Sequence, residues 1–375
     1  MLPVVVCSVL IASGTETPMH KSATIAEGDT ADLRFATVAT TKKADSVYIP
    51  TTYTLEDIDL ILTQQAPLSF MLGVSKQKQE VGAWYFPGTS DKRALIIAGV
   101  HGSELSAVEL ANAIMKDLFN GEKPYYSTII IPTLFPDNAN AAKSKPTAIN
   151  SVANIGRYSF SGAVDPNRQM PSPGKPFCEH NPTDHVGREI EQENQLLLKL
   201  IQEFKPHRIA NLHAIRNSNY GGVYADPRTD HEGIALGFET DSALAISIAK
   251  HISRHGGNVA GNRLKLKPTA LYYKDPTPVA AGKFQPRNMT GSALNANRGS
   301  GVSLGTWAST AVVHEMDSTL SRHAMRILTI EYPGCRRPSD YIRSQERKFH
   351  EKQMAAYASA IRKYFLGNYY AEDAN

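Results

Sequence analysis

Between about Tyr53 and Leu366 the chain alternates short, wholly apolar runs with amphipathic stretches. Four runs stand out: ALIIAGV (94–100), STIIIPTL (127–134), RIANLHA (208–214) and RILTIEY (326–332). Continuous apolar runs of this length are what strands look like when both faces of their sheet are covered. A further strand is predicted over Val81–Phe86, ending at Pro87-Gly88. Helical spacing recurs in TLEDIDLILTQQ, where Thr54 is placed to cap, and over Glu104–Phe119 and Arg188–Phe204. Strands alternating with such helices predict an α/β fold: a single-domain α/β/α sandwich around a mixed, largely parallel central sheet. The stretch 215–325 is rich in Gly, Asn and Pro in several places and reads as long loops over one sheet edge, where function often resides.

The first 51 residues follow a different pattern. Leu2–Ala12 is apolar apart from Ser8 and is followed by small residues, the layout of a signal-peptide core with its cleavage site near residue 14. Residues 15–51 are polar and of low complexity, a poorly ordered lead-in. This predicts export to the periplasm or beyond. The alternative is a buried first strand in a cytoplasmic protein. The catalytic domain is expected over 52–366, with a tail at 367–375.

Composition narrows the function by exclusion. Among 375 residues, 40 Lys+Arg against 36 Asp+Glu give a net charge of +4, too small and too dispersed for a nucleic-acid partner. No run reaches the roughly 18 apolar residues of a membrane span. Cys7, Cys178 and Cys335 have neither the number nor the spacing for a disulfide scaffold or a thiolate zinc site.

The candidate chemistry begins at His101-Gly102-Ser103-Glu104, directly after the run ALIIAGV. A histidine ending a strand and a glutamate opening a helix put imidazole and carboxylate on one side of a tight bend. Strand ends of open α/β sheets are where ligands bind, and two His with one Glu is a known catalytic zinc set. His213 ends the similar run RIANLHA. The plainer reading is a glutamate serving the helix dipole beside an ordinary histidine. Glu331 stands inside an otherwise apolar strand, where a buried carboxylate is costly without a partner and has a reason to exist as a general base. The turn VDPNRQMP presents Asn167 beside Arg168, a pair suited to capturing a carboxylate.

Taken in order, these pieces resemble the zinc carboxypeptidases of the carboxypeptidase A type, closest to the bacterial murein peptide amidase branch. The resemblance runs from about Leu72 to Pro333 through LGVSKQKQEVGAWYFPG, IIAGVHGSE, PDNAN, VDPNRQMP, the E-x-x-x-L-L helix at Glu193, NLHA, GVSLGTW and LTIEYPG. It implies one Zn2+ held by His101, Glu104 and His213, with Glu331 as the base. Asn167 and Arg168 then match the pair that binds a substrate's terminal carboxylate. Arg157, in NIGRYSF, matches the arginine that polarises the scissile carbonyl, although a surface salt bridge also accounts for it.

The implied activity is zinc-dependent hydrolysis of an amide bond next to a free carboxylate in a peptide or muropeptide. Two other readings use the same residues: an N-acyl amino acid deacylase of the aspartoacylase and succinylglutamate desuccinylase type, and a non-catalytic peptide-binding relative. One departure stands out. Where the family places a mobile tyrosine, this chain has SALNANRGS, with Asn295, Asn297 and Arg298 but no tyrosine. Tyr220, Tyr224, Tyr272 and Tyr273 are alternatives. Leu304, in the region that shapes the leaving-residue pocket, is uncharged, which argues against a carboxypeptidase for basic residues.

Three rival motifs are weak. Gly301–Gly305 fits a nucleophile elbow formally but follows a polar, loop-like stretch. His251 and His255, at helical spacing, lack the glutamate of a metalloprotease motif and read as surface histidines. Asn288-Met289-Thr290 is a formal glycosylation sequon.

Overall fold

The four apolar runs become four adjacent parallel strands at the centre of one sheet. In the computed structural model, which describes residues 53–151, 153–158, 164–264, 278–279, 283–284 and 300–369, the strands in chain order are β1 (Tyr53–Thr54), β2 (Leu68–Val74), β3 (Glu80–Phe86), β4 (Arg93–Ile97), β5 (Ser127–Ile131), β6 (Arg208–Ile215), β7 (Gly222–Ala225), the short pair β8 (Pro278–Val279) and β9 (Lys283–Phe284), and β10 (Arg326–Pro333). The main sheet has eight strands in the order β1-β2-β3-β5-β4-β6-β10-β7. Strands β5, β4, β6 and β10 run parallel. Pairing turns antiparallel outside them, at β3 on one side and β7 on the other.

Seven helices among the described residues cover the sheet: α1 (Ile58–Leu62), α2 (Leu105–Asn120), α3 (Pro136–Lys143), α4 (Gln192–Phe204), α5 (Phe238–Arg254), α6 (Leu304–Ala308) and α7 (Ser344–Ala360). Strand periodicity explains the layers, because successive side chains face opposite ways. On β4, Ala94 and Ile96 pack with α2, α5 and α7, whereas Leu95 and Ile97 pack with α1, α4 and α6. The result is the expected α/β/α sandwich, and the described residues belong to one compact unit, Thr41–Asn375.

The two faces differ where it matters. On the α2 side, β6 contributes Ala210, Leu212 and Ala214, and β10 contributes Leu328, Ile330 and Tyr332, apolar to the strand ends. On the other side the apolar positions stop at Ile209 and Ile327. Beyond them the same face carries Asn211 and His213 on β6, paired in register with Thr329 and Glu331 on β10. That polar continuation, at the carboxyl ends of the parallel strands, breaks the apolar sheet centre and positions the site.

Several expectations change in detail. The predicted helix 188–204 begins at Gln192, because Arg188 is drawn into a turn by the Asp184 carboxylate, which accepts its backbone N–H and its side chain. The stretch 215–325 is more than loops: it contains β7, which pairs with β10, and the 17-residue α5, whose Leu244, Ala245, Ile248 and Ile252 are buried. His251 is not a surface histidine. It is buried, stacks on His255 with ring centroids 4.0 Å apart and reaches Ser359 Oγ at 3.0 Å. The serine of the nucleophile-elbow pattern, Ser303, caps α6, its hydroxyl accepting the N–H of Thr306. The apolar N-terminus, the 15–51 lead-in, Tyr272, Tyr273, Asn288, Asn295, Asn297 and Arg298 lie outside the described residues.

Candidate active site

The HxxE turn is built by two glycines. Gly99 adopts a left-handed φ of +66°, open to glycine at little cost. A Cβ on Gly102 would come 2.2 Å from the backbone of Asn138 and Ala139, so only glycine lets α3 pack against the turn. The turn delivers His101 and Glu104 to the end of β4, facing His213 on β6. Glu104 stands at the amino-terminal cap of α2, yet its side chain makes no capping bond to that helix. Its carboxylate turns inward instead: Oε1 lies 2.9 Å from Nδ1 of His101, and Oε2 lies 3.0 Å from Nδ1 of His213 and accepts the Ala214 N–H at 3.0 Å. The reading of Glu104 as a dipole-compensating residue therefore fails on geometry.

His101, Glu104 and His213 are 3%, 4% and 3% exposed, and their ligand atoms all lie within 4.8 Å of one another. Two imidazole Nδ1 atoms and a carboxylate pointing at one centre form a set positioned to hold a metal ion, and one that suits zinc. Asp165, which the sequence reading did not single out, supports this fit. Its Oδ1 lies 2.8 Å from Nε2 of His101, so in the neutral ring the proton belongs on Nε2 and the Nδ1 lone pair is the one a metal ion would take. Its signal was present, two positions before Asn167 in VDPNR, but the spacing alone did not reveal which ring nitrogen it would meet.

The electrostatics follow from crowding. Burial opposes the charged form of His101, but Glu104 and Asp165 outweigh it and lift the imidazole to about 9. Burial would raise Glu104 too, yet the two histidines hold it well below the usual carboxylate range. Asp165 falls to about 2, because His101 and Arg157 overcome its partial burial.

Of the remaining predicted residues, Arg157, Asn167 and Glu331 lie against this centre, and Arg168 is tied to it only through Asn167. Arg157 is drawn into the site, with Nη1 donating to Glu104 Oε1 at 2.9 Å and Nη2 3.5 Å from Asp165 Oδ2. Asn167 reaches both neighbours: Nδ2 is 3.4 Å from His213 Nε2, and Oδ1 accepts the Leu304 N–H at 3.1 Å. Arg168 folds back, Nη1 donating to the Asn167 carbonyl at 2.7 Å, and stays partly exposed. Glu331 sits directly beside His213 in the sheet and is partly exposed at the mouth of the site. Burial, with Glu104 nearby, pushes its carboxyl up. Of the tyrosines considered for the missing family tyrosine, Tyr220 is exposed, while Tyr224 lies opposite Thr329 on β7.

No protein-family model matches the chain, and no curated protein matches it. Among solved structures it is similar to the murein-tripeptide amidase MpaA of Escherichia coli O157, at 16% identity and a TM-score of 0.39, covering 78% of this chain and 91% of that one. It is also similar to carboxypeptidase A of Helicoverpa armigera, at 13% identity and a TM-score of 0.41, over 82% and 73%. An aspartoacylase family protein of Mesorhizobium loti matches over a shorter span, 51% and 52%, at 15% identity and a TM-score of 0.32.

Proposed function

We propose that this chain is a zinc-dependent hydrolase that cleaves an amide bond beside a free carboxylate, in peptides derived from peptidoglycan. The observation that carries the reading is the convergence of His101 Nδ1, His213 Nδ1 and the Glu104 carboxylate on one buried centre, with a second carboxylate, Glu331, adjacent and open to solvent. A zinc ion held by the three residues supplies Lewis acidity toward the scissile carbonyl and lowers the pKa of water. Glu331, whose carboxyl is pushed up by burial, takes the proton of the attacking water and passes it to the leaving nitrogen as the C–N bond breaks. Arg157, held at the edge of the centre, faces the negative charge that develops on the carbonyl oxygen. Arg168 and Asn167 fix the terminal carboxylate of the leaving residue and so set the register of the bond.

The apolar stretch Leu2–Ala12 supports export, which brings the enzyme to the periplasm where such peptides arise. Among the described residues no helix is long and apolar enough to cross a membrane.

The test is turnover of purified muropeptides, followed by mass spectrometry, with small N-acyl amino acids as the competing substrates. A chelator removes activity and zinc restores it. Glu331→Gln lowers kcat by about 10²–10⁴-fold while zinc still binds. Undiminished turnover by Glu331→Gln, or hydrolysis confined to N-acyl amino acids, sinks the reading.

A further inference from the structure

Helix α3 supplies no side chain to the centre, yet two parts of the site lean on it. The HxxE turn meets it at Gly102, where a Cβ would come 2.2 Å from the Asn138 carbonyl carbon and 2.6 Å from the Asn138 Cβ. The loop that carries Arg157 meets it at Gly156, where a Cβ would come 2.3 Å from the Asn138 carbonyl oxygen. Gly156 also holds a left-handed φ of +84°, so conformation and space both call for glycine there. One residue, Asn138, thus lies between the ligand turn and the arginine loop, and it is 1% exposed.

The Asn138 side chain is committed to that loop. Its Nδ2 donates to the Tyr158 carbonyl at 3.2 Å. From the other side, the Ser103 N–H donates to the Gly156 carbonyl at 3.2 Å. The neighbours of Arg157 in the chain are therefore both pinned, one by the ligand turn and one by Asn138. Between them, Arg157 donates its own N–H to the Asn154 carbonyl and closes a short turn. This backbone is the base from which the guanidinium reaches Glu104 at 2.9 Å and Asp165 at 3.5 Å. An arginine side chain loses much rotamer freedom when it is held, so a fixed backbone beneath it lowers what the remaining contacts must offset.

The helix is itself anchored away from the centre. Asp137 accepts Ser75 Oγ at 2.7 Å and the Gln77 N–H at 2.9 Å, both in the turn between β2 and β3. Two adjacent residues thus divide the work: Asp137 ties α3 to the sheet, and Asn138 ties the arginine loop to α3.

We infer that Asn138 is a positioning residue for Arg157, its amide fixing the loop so that the guanidinium stands beside the ligand turn where the carbonyl oxygen of the scissile bond gains charge. The consequence for turnover rests on the hydrolase reading; the contact itself is testable without a substrate. Charge on that oxygen develops only as water attacks, so a displaced guanidinium weakens the transition state more than the bound substrate. The substrate's terminal carboxylate, assigned to Arg168 and Asn167, does not depend on Asn138.

The test follows Arg157 directly, by NMR of isotope-labelled arginine in the full, zinc-loaded chain, with its guanidinium signals assigned by their loss in Arg157→Lys. Asn138→Ala speeds hydrogen exchange at the Arg157 Nη groups by about tenfold or more. Asn138→Asp, which keeps the shape and replaces the donor by an acceptor, does the same without leaving a cavity, and thermal melts report folding of both. Asp137→Asn is the structural control: it weakens the hold on the β2–β3 turn and lowers the melting temperature, while exchange at Arg157 stays near that of the parent protein. Unchanged exchange in both Asn138 variants, or an equal rise in Asp137→Asn, overturns the assignment whether or not a muropeptide is cleaved. In turnover, Asn138→Ala lowers kcat by about 10–100-fold with little change in KM, and adds little to the loss already present in Arg157→Ala. Full additivity of the two losses overturns the assignment as well. Faster exchange in the Asn138 variants of a protein that hydrolyses nothing supports the positioning contact and removes the hydrolase reading.

Discussion

Two of the buried carboxylates in this sheet sandwich, Glu104 and Asp241, are held in opposite ways. Asp241, on α5, is 0% exposed and gripped by two guanidinium groups, Arg228 Nε at 2.6 Å and Arg326 Nε at 2.5 Å. Glu104 is equally withdrawn but gripped mainly by two imidazoles, with Arg157 at the edge. A guanidinium offers only donors and keeps its proton at any pH a protein survives, so the Asp241 cluster can do nothing but hold α5 against β10. An imidazole can give up its proton and present a lone pair. The Glu104 cluster is therefore a set of contacts that a metal ion can replace one for one, and burial of charge alone does not distinguish the two.

The largest effect expected from this contrast is on stability. Asp241→Ala removes the buried carboxylate that Arg228 and Arg326 share, and should cost about 3–5 kcal/mol in urea unfolding, with zinc affinity of the folded fraction unchanged. A loss under about 1 kcal/mol, the scale of a surface pair, would mean that the arginines find other partners. Glu104→Gln inverts the pattern. Zinc affinity, read by competition with a chromophoric chelator, should drop by more than the roughly 10–100-fold typical of outer-shell changes, while the melting temperature of the metal-free protein moves far less than in Asp241→Ala. Retained affinity in Glu104→Gln would remove that residue from the ligand set. Next in size is Asp165→Asn. It keeps the shape but weakens the contact that orients His101, so zinc affinity falls by about 10–100-fold with all three ligands intact. An unchanged affinity would reduce Asp165 to a partner for Arg157.

How far these two clusters could be read from the chain differs for a physical reason. The four central strands were legible because both their faces are covered, which forces continuous apolar runs such as Ala94–Val100. His101, His213 and Glu331 were legible because they interrupt or follow those runs, Glu104 because it opens the next helix three residues after His101, and Asn167-Arg168 because a turn sets an amide beside a guanidinium. The Asp241 cluster was not, because Arg228, Asp241 and Arg326 are ordinary charges until β10 and α5 pack together. Asn211 stayed hidden for a similar reason. Asn211 looks like one polar residue in RIANLHA, and only the register with Thr329 shows that it continues a polar row. β7, four residues long, and α7, whose sequence SQERKFHEKQMAAYASA is weakly patterned, owe their placement to tertiary packing more than to local pattern.

The pH dependence, which changes no residue, is the sharpest test of why histidines were used. In the metal-free protein His101 is held at about 9, above the roughly 6.5 of an unfolded histidine. Its protonated form therefore contributes stability in full below about pH 6.5, and that contribution is lost as pH rises through about 9. Asp165, at about 2, behaves in the opposite sense: its contribution is present above about pH 4 and is lost as pH falls toward 2. Zinc needs the deprotonated imidazole, so its apparent affinity should climb with pH by up to about tenfold per unit until near 9 and then level off, each binding event releasing a proton. From pH 6 to 9.5 the chelated protein should thus become easier to unfold while zinc binds more tightly. The two curves, urea midpoint and zinc affinity, must cross over the same pH range, because one proton on His101 governs both. If stability of the chelated protein rises over that range, or zinc affinity stays flat, the proton is not where the Glu104–His101–Asp165 geometry puts it, and the imidazole-held carboxylate would be as inert as the arginine-held one.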